Sequence, residues 1–486
     1  MMYADIFTTN LPDRAEHPAV TCGDTTLTYG QLHENVVRAA ETLLRAGLYP
    51  GDVVALWLPN SIDYVVMFHA IAAAGMASVP IPVYATARDV NEAVTATGAK
   101  VVIDEQVAAA VIGGDAHALA AAGGTTSLPA GTQVQLPQVA EQAVASMPLS
   151  SGTTGTPKVV QLTHANLSAN IRQFAEAVPI TPEDTVLAPL PLSHIYGLTA
   201  TMNVPLAIGA HVVVMQFDPK AFLQAFADHD ISVLFIAPPV APLLAGAPES
   251  TRFEHLHHII SGAAALSETA GRAVEERTGA KILQGYGMTE ASPVTHLSRL
   301  DSTPLESIGT PLVDTEHKII DTITGEDITA TGKAGELCVR GPQVMLGYLN
   351  NDTATAAALQ HGWLHTGDIG QQLADGSIVL SGRIKDIIKS HGVQVSPSKV
   401  EQRLIEHPDI TDVAVFRGTT SRGEECPLVA YTGQLTPEEV LAHSRQVLTR
   451  YECPRAAYAV DAIPRSASGK ILRTKLPDVI GATAAA

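Results

Sequence analysis

Residues 150–158 run Ser150-Ser-Gly-Thr-Thr-Gly-Thr-Pro-Lys158. Glycine lets the backbone approach a ligand closely and adopt positive φ. Hydroxyls and successive backbone N–H groups can cradle phosphate oxygens, and a nearby lysine adds charge. The Walker A loop places Ser or Thr after its Gly-Lys. Here Lys158 follows Pro157 and precedes Val159. The segment therefore reads as a phosphate loop of another kind. Taken alone, it also fits an ordinary Ser/Thr/Gly-rich surface loop.

Four further segments follow it in order. They are Gly285-Tyr-Gly-Met-Thr-Glu290, Thr366-Gly-Asp368, Gly382-Arg-Ile-Lys-Asp386 and Ser468-Gly-Lys470. In order and spacing the five resemble the adenylate-forming enzymes, the AMP-binding superfamily of acyl-CoA synthetases, stand-alone adenylation domains and luciferases. The resemblance runs from about Thr28 to about Arg473. Pro191-Leu-Ser-His-Ile-Tyr-Gly197 and the run Phe217 to Leu244 are most similar to 4-coumarate–CoA ligases and related acyl-CoA synthetases.

The resemblance implies ATP, Mg²⁺ and coenzyme A as co-substrates and cofactor. Joining a carboxylate to the α-phosphate brings two anions together, so positioning and charge neutralisation carry the catalysis. Ser151, Thr153, Thr154 and Lys158 would hold the β- and γ-phosphates. Glu290 would bind Mg²⁺, a hard cation that takes carboxylate oxygen. Tyr286 would stack along the adenine, with Gly262 and Ala263 beneath it and Gly285, Gly287 and Thr289 completing the nucleotide site. Asp368 would accept hydrogen bonds from both ribose hydroxyls, which suits a carboxylate with two acceptor oxygens. Arg383 would reach the ribose and phosphates. Lys470 would bridge the acid and the α-phosphate, a task for a compact charge on a long stem. His391-Gly392 would line the pantetheine tunnel, and Lys385 would be the hinge. His194 would border the acyl site as a gate or packing residue, since an ionised acid has no proton to lose.

Ile195, Tyr196, Thr199, Phe235, Met288, Pro293 and Val294 are the expected acyl-pocket walls. No acidic residue stands near Phe235 to receive an amino group, so a hydrophobic or aromatic acid is expected. Three positions depart from the family pattern: Val159 replaces a glycine, Ala265 a proline and Lys399 a glutamate. None removes a catalytic group. The cluster His255, His257, His258 invites a metal reading, but before apolar Ile259-Ile260 a solvated or partly buried cluster is expected instead.

The composition agrees with this reading. Apolar residues make up 46% of the 486, enough for more than one core. The formal net charge of −19 argues against nucleic acid and anionic membranes as partners. No run of 18 apolar residues and no signal-peptide pattern occurs, so a cytoplasmic protein without a membrane span is expected. Cys22, Cys338, Cys426 and Cys453 are scattered without zinc spacing and are expected to be buried free thiols. The expected partners are the acid and CoA, with two alternatives left open: a carrier-protein thiol acting in trans, and a non-catalytic relative. A homodimer is also left open.

Strand and helix patterns alternate from the capping box Thr28-x-x-Gln31 onward, which argues α/β architecture with covered, largely parallel sheets. Residues 105–145, rich in Ala and Gly, read as a loose surface connection with one helix. Beyond residue 384 the texture becomes that of a small α+β unit. The expectation is a large N-terminal domain of mixed, largely parallel sheets over 1–384 and a small mobile C-terminal domain over 386–486.

Overall fold

The computed structural model describes residues 6, 8–121, 134–150, 158–300, 305–390, 393–466 and 469–481. The capping box is present. The Thr28 hydroxyl accepts the Gln31 N–H at 3.3 Å, and the Gln31 side chain accepts the Thr28 N–H at 3.0 Å. It starts the helix Tyr29–Arg45, whose Leu32, Val36, Ala39, Ala40 and Leu43 are buried at helical spacing.

Two sheets build the large part of the molecule. In one, Val53–Leu56 runs parallel to Ala77–Pro80 and Val101–Ile103, and Val144–Ser146 joins Ala77–Pro80 in parallel. Lys158–Thr163 then pairs antiparallel with Val144–Ser146 on one side and Gly347–Tyr348 on the other. In the second sheet Pro18–Cys22, His211–Val214, Thr185–Ala188, Val233–Ile236, His258–Ser261 and Lys281–Gly287 are successive parallel neighbours. Val233–Ile236 is buried along its whole length, as a strand covered on both faces must be.

The strand Lys281–Gly287 is where the direction changes. Val294–Leu297 pairs with it antiparallel, and the sheet continues antiparallel through Ser307–Pro311, Ile378–Arg383, Trp363–Gln372, Gly335–Arg340 and Glu316–Ile320. The carboxyl ends of the parallel strands thus open beside antiparallel strands. Ligands bind at such strand ends in open α/β sheets.

The segment 105–145 corrects the sequence reading. Its described residues include two helices, Glu105–Ile112 and His117–Ala121, and the start of the strand Val144–Ser146. Asp104 caps the first, and Ala108, Val111 and Leu119 are fully buried. Alanine is small enough to let this helix pack closely on Tyr29–Arg45 and Ile62–Ala73, so a sequence that looks featureless is core. The cysteines also differ in part: all are free, but only Cys338 and Cys426 are buried.

Beyond Arg383 a separate core forms. Ile410–Thr419 pairs antiparallel with Glu425–Gly433, which pairs parallel with Ala457–Ala459. Val413, Val415, Val429 and Tyr431 pack on one face with Val400, Leu404 and Val440 from the helices Pro397–Leu404 and Pro437–Val447. Phe416, Leu428, Ile463 and Leu476 cover the other face. Among the described residues no helix is long and apolar enough to cross a membrane.

Thr28→Ala removes the cap of the helix that organises the first core. It should cost about 1 kcal/mol, as typical caps do. The check is the urea midpoint, which should fall with no change in m-value.

Candidate active site

The Asp368 carboxylate is almost fully buried, at 6% exposure. It lies on Trp363–Gln372 directly opposite Arg383 on Ile378–Arg383. Arg383 Nε lies 2.9 Å from Asp368 Oδ1, and the Tyr286 hydroxyl donates to Oδ2 at 2.6 Å. Burial, and after it the Asp368 charge, pushes the Tyr286 hydroxyl well above its ordinary range. The same charge raises Arg383. Two strands thereby place their functional groups on the carboxylate carried by a third.

The turn that presents Asp368 is itself held. Thr366 donates to Leu337 O at 2.6 Å and accepts the Asp368 N–H at 3.0 Å. Glu336 accepts the Gly367 N–H at 3.0 Å through one oxygen and lies 2.9 Å from His365 Nδ1 through the other. Glu336, Cys338 and His365 bring metal-ligand atom types within 4.8 Å of one another. Burial pushes the Cys338 thiol up to about 12, which keeps its proton on. With both Glu336 oxygens already engaged, the cluster acts as a clamp on the Thr366-Gly367 turn.

On the phosphate side, Lys158 opens its strand and stands 4.7 Å from the centre of the Tyr348 ring. The Tyr348 hydroxyl donates to Glu290 Oε1 at 2.7 Å. Glu290, in the short 3₁₀ turn Thr289–Ala291, is 8% exposed. One aromatic side chain therefore touches both Lys158 and the carboxylate expected to meet Mg²⁺.

Lys470 joins these groups from the C-terminal part of the chain. The charges of Arg383, Asp368, Glu290 and Lys385 all act on its ammonium, and burial together with Arg383 lowers its affinity for a proton. Its hairpin docks on the large sheet. Gly469 has φ +81°, and a Cβ there would lie 3.0 Å from Pro239 Cγ and 3.6 Å from Ala237 Cβ. His194 lies close enough to feel the Lys470 charge. The Tyr196 N–H points at His194 Nδ1 at 3.3 Å, which puts the ring proton on Nε2. Burial, and secondarily the Lys470 charge, pushes this imidazole down to about 4, so it is neutral near pH 7.

The chain that carries this constellation has relatives among known proteins. Residues 7–349 match the AMP-binding enzyme family, and residues 399–470 match the AMP-binding enzyme C-terminal domain. The chain belongs to the AMP-binding enzyme family. It is 34% identical to 4-coumarate–CoA ligase 5 of Oryza sativa subsp. japonica, covering 96% of this chain and 92% of that one. It is 32% identical to 4-coumarate–CoA ligase 4 of Arabidopsis thaliana, covering 93% and 85%. Its fold is similar to that of o-succinylbenzoate CoA synthetase from Bacillus subtilis in complex with the acyl-adenylate intermediate OSB-AMP. There the TM-score is 0.85 and the identity 25%, with 97% of each chain covered. The chain thus stands among acyl-CoA ligases.

Of the other family positions, Ser151, Thr153, Thr154, His391 and Gly392 lie outside the described residues. Gly285, Tyr286 and Gly287 end the strand Lys281–Gly287, while Gly262 and Ala263 follow His258–Ser261. Tyr196 lies over Gly262, where a Cβ would stand 2.9 Å from Tyr196 Cζ, so only glycine fits beneath this ring. The Tyr196 hydroxyl donates to Ile260 O at 3.1 Å, and its ring meets Phe235 edge-on at 6.3 Å. Phe235 is fully buried and backs this tyrosine. Thr199 donates to Ser292 O at 3.0 Å. Ile195, Pro293 and Val294 are buried, while Met288 is half-buried. Lys385 sits in the 3₁₀ turn Ile384–Asp386, its carbonyl accepting from Arg417 at 3.0 Å.

Among the histidines, His257 lies 2.9 Å from Asp184 Oδ1 and 2.6 Å from His258, and His255 pairs with Asp230 at 3.3 Å. These are hydrogen-bonding partners at the amino ends of strands, remote in the sheet from the nucleotide side. Lys399 forms an ion pair with Glu452 at 2.7 Å. Tyr348, Glu336 and His365 were not singled out from the sequence. Each acts through a partner distant in the chain, and no local spacing announces it.

Asp368→Asn should weaken ATP binding, because the charged acceptor is lost while its shape is kept. A charge-assisted hydrogen bond is worth about 1.5–3 kcal/mol, which corresponds to roughly ten- to hundredfold in affinity. Calorimetric titration with ATP and the KM for ATP in initial rates should move together.

Proposed function

We propose that this enzyme is an ATP-dependent acid–CoA ligase for a hydrophobic or aromatic carboxylic acid. In the first step an acid oxygen attacks the α-phosphorus, the acyl-adenylate forms and pyrophosphate leaves. In the second the CoA thiolate attacks the acyl carbonyl, the thioester forms and AMP leaves. The observation that carries this reading is the position of Lys470. Its ammonium lies within the combined field of Arg383, Asp368 and Glu290 and acts on His194.

Asp368 orients the ribose, with Tyr286 and Arg383 fixing its two oxygens. Lys158, with the hydroxyls of Ser151, Thr153 and Thr154, takes the outer phosphates. Glu290 suits Mg²⁺: it is a buried carboxylate whose Oε1 is steadied by Tyr348, and the ion would neutralise phosphate charge. Neutral His194, with its proton on Nε2, can donate toward the acid carboxylate or the new acyl phosphate without taking a proton. Tyr196, Ile195, Met288, Pro293 and Val294 offer the acid an apolar wall, and the strand Val233–Ile236 carries no acidic group for an ammonium. The 4-coumarate–CoA ligases among the relatives favour an aromatic acid. A reducing cytoplasm suits the four free thiols.

Lys470 and the segment His391-Gly392 belong to the same small C-terminal unit but serve successive steps. That unit therefore turns about Lys385 between them, with domain limits near 1–384 and 386–486.

ATP–pyrophosphate exchange across 4-coumarate, benzoate, 2-succinylbenzoate, malonate and phenylalanine tests the class. Exchange with an aromatic acid is expected, and exchange with phenylalanine alone would overturn the substrate assignment. Lys470→Ala should lower adenylation by roughly 10²–10³-fold, the cost of one transition-state charge contact. It should spare thioester formation from supplied acyl-adenylate. Lys385→Pro fixes φ near −65° at the pivot. Exchange should survive in that variant while CoA transfer fails. Wild-type rates for both steps in a folded variant would show that the pivot lies elsewhere.

A further inference from the structure

Arg465 lies five residues before Lys470 and faces two ways. Its Nη2 and Nε meet the Asp412 carboxylate at 2.7 and 3.3 Å, in a two-point grip. Its Nη1 donates to the carbonyl of Gly469 at 2.8 Å. Asp412 stands on Ile410–Thr419, an edge strand of the C-terminal sheet whose Val413 and Val415 lie in that core. Gly469 immediately precedes Lys470 and lies where a Cβ would meet Pro239 and Ala237, just past the strand Val233–Ile236.

The hairpin around them is small. Arg465 bridges Ile471, the Ser466 N–H donates to Lys470 O at 2.8 Å, and the Gly469 N–H donates to Ser466 O at 2.8 Å. Its far leg is fixed separately, since Arg473 meets both Glu401 oxygens at 2.7 Å and donates to Val415 O at 3.0 Å. Among the described residues, Arg465 ties the tip that carries the lysine to the core by its side chain.

We propose that Arg465 is a positioning residue for Lys470. Anchored on Asp412, it holds the Gly469 carbonyl so that the hairpin tip seats on Pro239 and the ammonium reaches the acid and the α-phosphate. This rests on the adenylation role assigned to Lys470. A long, flexible lysine gains its effect only when its backbone is fixed, and a misplacement of about 1 Å can cost roughly 10²-fold. The tether acts on the step that uses the docked lysine and has no part in the step for which the lysine withdraws.

The test measures both half-reactions on one sample, with 4-coumarate or the panel acid of highest exchange. One assay is ATP–pyrophosphate exchange. The other is thioester formation from supplied acyl-adenylate and CoA. Arg465→Ala should lower exchange by roughly ten- to hundredfold, within the cost of misplacing a reacting group, while thioester formation holds within about twofold. Arg465→Lys, which can reach one partner at a time, should recover part of the exchange. Asp412→Asn, gentler to the fold, should give a smaller loss of the same kind. Equal loss of both half-reactions in these variants, or unchanged exchange in Arg465→Ala, would overturn the proposal. Lys470→Ala is run beside them. If it leaves exchange intact, the role of the lysine fails and the proposal with it. If it abolishes exchange while Arg465→Ala does not, only the proposal fails.

Discussion

The Asp368 carboxylate is shared by a tyrosine from the last parallel strand and an arginine from its own antiparallel neighbour. This contact is where the two halves of the large sheet are registered against each other at the ligand end. Asp368 cannot shift without releasing both partners, and its turn is held from behind by Glu336 and Thr366. Arg383 is also the last strand residue before the chain leaves for the C-terminal core. The carboxylate thus joins the strand ends of the large sheet to the point where the chain passes into the C-terminal core.

Around it the protein gathers positive charge against its overall balance of −19. Arg383, Lys385 and Lys470 lie near enough to affect one another, and both Arg383 and Lys385 make Lys470 harder to protonate. Asp368 and Glu290 act in the opposite sense, and burial is the largest single cause of the lowering. A lysine carried on a separate unit, held by a small hairpin, suits a group that must be present for one step and absent for the next.

The α/β class, the capped first helix and the compact C-terminal α+β unit were legible because each rests on local periodicity and turn chemistry. Asp368, Arg383, Glu290 and Lys470 were legible through the order of five motifs. The helices in 105–121 were not, because alanine gives little contrast between buried and exposed faces. Tyr348, Glu336, His365 and Arg465 also escaped notice. Their roles depend on partners such as Glu290 and Asp412 that lie 58 and 53 residues away along the chain. Only the assembled sheets bring those pairs together.

The central claim is that this site breaks ATP between the α- and β-phosphates to make an acyl-adenylate. Single-turnover reaction with ATP labelled at the α-phosphorus and an aromatic acid, without CoA, tests it most directly. The account predicts that the label appears in enzyme-bound acyl-adenylate with an equal amount of pyrophosphate released. Added CoA should then convert that label to AMP as the thioester forms. Release of ADP and inorganic phosphate, with no labelled adenylate, would contradict it.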